Sequence, residues 1–165
     1  MYYRKTKLLS CAERHRQKDD ELQMDIRVVL ADDHAAIRRA LRQLLEIQAN
    51  ITVIGEAKDG LDVVKQVGQL CPDIVVLDVS MPEFSSFETV QKIRLASGRT
   101  KVIVLSMYLS RAHALAAMRA GASGYVLKES AGGELVKAIR TVRNGNVYLS
   151  QELTKLVDDS TKLAA

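Results

Sequence analysis

The chain has 165 residues, 47% of them apolar and 27% charged; this supports one sizeable core and excludes a disordered, collagen-like or disulfide-scaffold protein. No apolar run approaches the roughly 18 residues of a membrane helix, and Leu8-Leu9-Ser10-Cys11-Ala12 is too short for the apolar core of a signal peptide. The net charge of +4 hints at nucleic acid, but residues 1–18 hold six basic residues against one acidic, and 4% aromatics without tryptophan supply few stacking platforms. Cys11 and Cys71 lie far apart without metal-ligand neighbours, so the expectation is free thiols in a reducing, cytoplasmic compartment.

Residues 1–25 are charged and lack sustained apolar periodicity, and read as a flexible or partly helical extension. Ile26–Ala31 then reads as a buried strand. Ile37, Ala40, Leu41, Leu44 and Leu45 recur at helical spacing. Ile51–Ala57 is a second strand, and Asp59-Gly60 opens a helix that ends near Leu70, before Pro72. Asp73–Asp78 is a third strand, stopped by Met81-Pro82, and Phe87–Ala96 a third helix. Lys101–Ser106 is a fourth strand; Ser110–Ala120 is an alanine-rich helix ended by Gly121. Gly124–Leu127 is a short fifth strand. The fifth helix carries Leu135, Ala138, Ile139 and Val142 on one stripe and stops at Asn144-Gly145. The stretch 146–165 reads as a linker or a further helix.

Five strand–helix units in strict alternation predict an α/β fold, a five-stranded parallel sheet with helices on both faces. Ligands of such sheets bind beyond the carboxyl ends of the strands. There the sequence places Asp32 and Asp33 after strand one, Asp78 at the end of strand three, Ser106 at the end of strand four and Lys128 after strand five. Taken singly, each has a plain explanation: a helix cap, a turn, a strand-end hydroxyl, a surface lysine. Together they change meaning. Three carboxylates at one edge repel unless a cation neutralises them. Mg²⁺ takes oxygen ligands and often shares its shell with a phosphoryl group. A carboxylate nucleophile, a metal and a lysine are the parts of phosphoryl transfer.

Four segments then carry a resemblance: Val29-Leu30-Ala31-Asp32-Asp33-His34, Asp73–Pro82, Val104-Leu105-Ser106, and Arg119–Lys128. Residues 26–149 resemble the receiver domain of bacterial two-component response regulators, and the last segment with Gly145–Ser150 resembles the NarL/FixJ (LuxR-type) subfamily. The resemblance implies a flavodoxin-like, CheY-like (βα)5 fold with strand order 2-1-3-4-5. It implies Asp78 as phosphoacceptor, and Mg²⁺ held by Asp32 or Asp33 with Asp78 and the backbone carbonyl of Ser80. It implies Ser106 and Lys128 on the phosphoryl oxygens, and Tyr125 as an aromatic switch that turns inward when Ser106 moves. The implied partners are a sensor histidine kinase as donor, a second copy in a phosphorylated homodimer, and DNA through a C-terminal helix-turn-helix domain absent from this chain. Catalysis would be limited to its own phosphotransfer and dephosphorylation.

Two features stand apart. The family has Gly where this chain has Ser86; the expectation is an altered turn, with Ser86 able to cap the next helix, and an intact acceptor. Tyr108 is expected to narrow water access to the phosphoryl group. His34 reads as structural rather than as a ligand, since Mg²⁺ prefers oxygen; His15 and His113 read as solvated, and Met107 and Met118 as packing. About 16 residues follow Leu149, too few for a further domain, and Lys162-Leu163-Ala164-Ala165 reads like translated cloning sequence. The alternatives are a phosphorylation-independent receiver that acts through protein contacts, and a flavin-binding or dehalogenase-like enzyme. Asp32-Asp33-His34 stands where a flavin phosphate loop would be. Asp78 lacks the second acid that the dehalogenase pattern places two residues on.

Overall fold

A computed structural model of the protein describes residues 25–83 and 85–162. The expectations for the first 24 residues, Cys11 and His15 among them, and for residues 163–165 lie outside the described residues.

The elements alternate as the apolar pattern requires: β1 (Ile26–Ala31), α1 (Ala35–Glu46), β2 (Ile51–Ala57), α2 (Gly60–Leu70), β3 (Ile74–Asp78), α3 (Ser86–Ala96), β4 (Lys101–Ser106), α4 (Arg111–Ala120), β5 (Gly124–Leu127), α5 (Ala131–Arg143), β6 (Tyr148–Leu149) and α6 (Gln151–Lys162). A 3₁₀ turn, Lys128–Ser130, joins β5 to α5. All neighbouring strands pair in parallel, in the order β2-β1-β3-β4-β5-β6. The expected five-strand sheet is therefore corrected to six strands. β6 has two residues, too few to give a periodic signal, and its neighbours Gly145 and Asn146 mark it as a turn in sequence.

Successive residues of a strand point to opposite faces, and this splits the core in two. Val28, Leu30, Val76, Leu105 and Val126 pack beneath α1 and α5 with Leu45, Leu135 and Ile139. Val29, Val75, Leu77, Val104 and Leu127 pack beneath α2, α3 and α4 with Val63, Val67, Val90, Ile93 and Ala117. Each such buried aliphatic side chain contributes about 1.5–3 kcal/mol. Leu153 of α6 is buried in the second cluster, which also holds Tyr125. The tail after Leu149 therefore continues the fold as a docked helix. No helix among the described residues is long and apolar enough to cross a membrane.

Helix ends follow local chemistry. Asp59 caps α2 by accepting from the Asp62 amide at 2.7 Å. Ser85 and Glu88 form a capping box at α3. The cap is thus Ser85, not Ser86, which becomes the first residue of α3 with its side chain buried. Among the described residues of this loop Glu83 is left-handed (φ 83°), and Ser86, where the family has Gly, carries no positive φ. Cys71, buried at the end of α2, is disulfide-bonded. This corrects the expectation of a free thiol at Cys71.

Gly121 ends α4 with φ 107°, and a Cβ there would lie 2.5 Å from the Arg94 side chain. Gly121→Ala is therefore expected to cost ~1–3 kcal/mol, read as a lower urea midpoint at unchanged slope. An unchanged midpoint would show that Arg94 swings away and that the left-handed backbone is tolerated.

Candidate functional site

The carboxyl ends of β1 and β3 are adjacent, since the strand order reverses between them. That is the switch point where open parallel sheets bind ligands. Asp32 follows β1 and Asp78 ends β3, and each is only 1% exposed. Two buried carboxylates this close demand compensation. Lys128, delivered by the end of β5 and itself 10% exposed, supplies it: Nζ donates to Asp32 Oδ2 at 2.8 Å and lies 3.0 Å from Asp78 Oδ1. Burial favours the neutral amine. The hydrogen bond to Asp32 and the close contact and charge of Asp78 outweigh it and hold the ammonium above the usual lysine range.

One cation does not satisfy two acids. Asp32 Oδ1 accepts from the His34 amide at 2.8 Å, a turn that starts α1, and the Asp32 carbonyl accepts from Arg38 at 2.7 Å. Asp78 has no such support: both of its oxygens are buried and neither accepts a hydrogen bond. The Lys128 contact is an ion pair without hydrogen-bond alignment at that atom. Asp33 is half-exposed beside them, and His34 Nδ1 lies 2.8 Å from Asp33 Oδ1 and 3.2 Å from Asp32 Oδ1. One donor atom from each of Asp32, Asp33, His34 and Asp78 lies within 4.8 Å of the others, a group able to hold a metal ion. The donor set is three carboxylates around orphaned buried oxygens, which fits a hard divalent cation. Ser80 is exposed in the turn two residues past Asp78.

Ser106 ends β4, one residue beyond Leu105, which pairs with Asp78. Its Oγ accepts from the Tyr108 amide at 3.0 Å. Tyr125 is buried on β5, and its hydroxyl donates to the Tyr108 carbonyl at 3.1 Å. Burial pushes the Tyr125 hydroxyl up, and the Ser106 hydroxyl partly offsets this. Ser106 and Tyr125 therefore grip the two sides of one peptide residue in the β4–α4 loop. The Tyr108 ring does not take part. It is 58% exposed and rests against His113, centroids 5.7 Å apart, so His113 has a ring neighbour. Met107 is exposed rather than packed, and Met118 lies against the α4 core.

The sequence thus supplied Asp32, Asp33, Asp78 and Lys128 of the assembled cluster. It missed Arg38, which ties the Asp32 carbonyl to Glu56 on β2. An acid inside the apolar pattern of β2 was the available signal. Glu56 is held below the usual carboxylate range, first by its hydrogen bond from Arg42 and also by that from Arg38, against the effect of burial. Also missed were Ser150 and Glu134. Ser150 Oγ accepts from the Leu127 amide and donates to Glu134, tying the start of α6 to the end of β5.

Comparison with known proteins gives the family of the chain. The family model of the response regulator receiver domain matches residues 28–140. The uncharacterized transcriptional regulatory protein YxjL of Bacillus subtilis (strain 168) is 35% identical over 136 residues, covering 82% of this chain and 62% of its own length. The nitrate/nitrite response regulator protein NarL of Escherichia coli (strain K12) is 33% identical over 135 residues, again 82% and 62%. The crystal structure of a LuxR-family two-component response regulator from Aurantimonas sp. SI85-9A1 superposes with a TM-score of 0.79 at 33% identity, covering 83% of this chain and 98% of that one. The chain spans 62% of the length of those two curated relatives. It belongs to the response regulator receiver domain family, and its relatives are NarL/LuxR-type response regulators.

Proposed function

We propose that the chain accepts a phosphoryl group on Asp78 from a phosphohistidine of a sensor histidine kinase and passes the event to an output. The single observation that supports this most is the Asp78 carboxylate: buried, with both oxygens lacking hydrogen bonds, and facing one ammonium. A carboxylate left unsolvated retains its nucleophilicity and is open to one more electrophile. Asp32, Asp33, Asp78 and the Ser80 carbonyl would hold Mg²⁺, which supplies neutralisation of the phosphoryl oxygens.

An Asp78 oxygen attacks phosphorus as the phosphorus–nitrogen bond of the donor breaks, and the leaving imidazole takes up a proton from solvent. Lys128 remains beside the new acyl phosphate. The group adds roughly 1.5–2 negative charges, so an ammonium shared between Asp32 and Asp78 is drawn toward it. Ser106 donates its hydroxyl proton to a phosphoryl oxygen. Because Tyr108 is held by both Ser106 and Tyr125, movement of Ser106 shifts the loop and the tyrosine together. Hydrolysis by water returns Asp78. Catalysis is confined to these two reactions of its own side chain. The output is transcription, through a C-terminal helix-turn-helix domain, with a homodimer favoured by phosphorylation, in the cytoplasm. Residues 26–149 form the receiver, and 150–162 begin the connection to that output.

The test is intact mass after incubation with acetyl phosphate and Mg²⁺. Wild type should gain one phosphoryl group; Asp78→Ala, or wild type in EDTA, should gain none. Absence of the adduct in wild type, with beryllofluoride also failing to bind, would favour the phosphorylation-independent module instead.

A further inference from the structure

We propose that His34 supplies a nitrogen donor to the cation cleft, so that the site prefers first-row transition cations to Mg²⁺. The inference rests on the reading of the cleft as a metal site and adds its selectivity. The geometry carries it. In an octahedral shell with bonds of about 2.1 Å, neighbouring donors stand about 3.0 Å apart. His34 Nδ1 stands 2.8 Å from Asp33 Oδ1 and 3.2 Å from Asp32 Oδ1, the spacing of two shared edges. A donor atom of His34 also lies within 4.8 Å of one on Asp78. The independent sign of a ligand is Asp78, whose two buried oxygens have no hydrogen-bond partner.

The chemistry is compatible with this placement. In the bare site Nδ1 lies between the two carboxylates, and its lone pair is the one a cation would take. The His34 side chain is 61% exposed, so the other ring nitrogen can carry the proton in contact with water. His34 is also free of a capping duty: it stands at the N-cap of α1 with no side-chain cap bond, so its ring is not committed to the helix. Arg38 fixes the backbone of Asp32, and the Asp32 carboxylate fixes the His34 amide, so the ring is hung from a braced turn. Imidazole contributes little to Mg²⁺ and substantially to later first-row ions.

The experiment uses Mn²⁺ as spectroscopic probe, and Ni²⁺ and Mg²⁺ as the affinity pair, on the whole chain. Pulsed EPR of one equivalent of Mn²⁺ should show imidazole nitrogen coupling in wild type. Excess Mg²⁺ should release that Mn²⁺. His34→Ala should still bind Mn²⁺ but lose the coupling. By calorimetry, His34→Ala and His34→Asn should weaken Ni²⁺ about tenfold while Mg²⁺ affinity stays within about twofold. Mn²⁺ bound and released by Mg²⁺ without nitrogen coupling would overturn the role of His34 and leave the cleft as an oxygen site. No Mn²⁺ bound to wild type would overturn the metal reading and this inference with it.

Discussion

Lys128→Met is expected to destabilise the protein by about 3–5 kcal/mol when no divalent cation is present, the usual cost of removing one partner of a buried ion pair. The side chain is nearly buried and stands between Asp32 and Asp78, both 1% exposed. Met matches the length of the apolar stem, so lost packing contributes little. What remains is two neighbouring carboxylates with no cation. The measurement is urea unfolding in EDTA. Adding Asp78→Asn to Lys128→Met should restore a large part of the loss, because one of the two uncompensated charges is gone. If the double variant is as weak as the single, the cost lies in packing and the electrostatic account fails.

The same residue sets an alkaline limit. Lys128 is held above its ordinary value, and so is Tyr125. A group whose folded value is raised contributes stability that is complete below its unfolded value and disappears as pH rises through the folded one. The unfolded values are about 10 for tyrosine and about 10.4 for lysine. Stability should therefore fall from about pH 10 upward, and Lys128→Met should lack the lysine's share of that fall. Unfolding midpoints between pH 8 and 11 decide it; a parallel fall in both proteins would remove Lys128 from the account.

How far the sequence determined this picture depends on the range of the interaction. The strand runs were readable because buried parallel strands are continuous in Val, Ile and Leu, as in Ile74–Leu77. Asp78, Asp32 and Lys128 were readable because each interrupts or follows such a run at the carboxyl end. β6 escaped because two residues carry no period. The docking of α6 has no local signal because, among the described residues, it is made by Leu153, the Ser150–Glu134 pair and the Gln151 amide on Glu134, contacts set by tertiary packing. Ser85 rather than Ser86 caps α3 for a local reason: only Ser85 has an acid three residues on, Glu88, to complete the capping box. The spacing of Tyr108, two residues past Ser106, predicts a ring near the site. In the fold that spacing brings the backbone of Tyr108 to Ser106 and Tyr125 and leaves the ring 58% exposed.

Asp78→Asn should abolish phosphorylation and, without metal, make the protein more stable by about 1–3 kcal/mol. That range is the cost of leaving a buried polar group unsatisfied, and charge adds to it here. Asp78 adds one carboxylate to a cluster that already holds Asp32, and its two oxygens accept no hydrogen bond. Asparagine keeps the shape and removes the charge. Lys128 then pairs with Asp32 alone, at 2.8 Å, and the repulsion between the acids disappears. The sign should change with Mg²⁺. A cation that binds only the folded wild type adds RT ln(1 + [L]/Kd), about 2.7 kcal/mol at one hundred times Kd, and the variant should gain much less. Thermal unfolding of both proteins in EDTA and across a Mg²⁺ series therefore gives two curves that cross. A wild type already the more stable in EDTA would mean that Asp78 is satisfied in the resting protein and is not an unpartnered buried nucleophile. Crossing curves would mean that the Asp78 carboxylate is held at a standing cost to the fold, removed when the cation arrives.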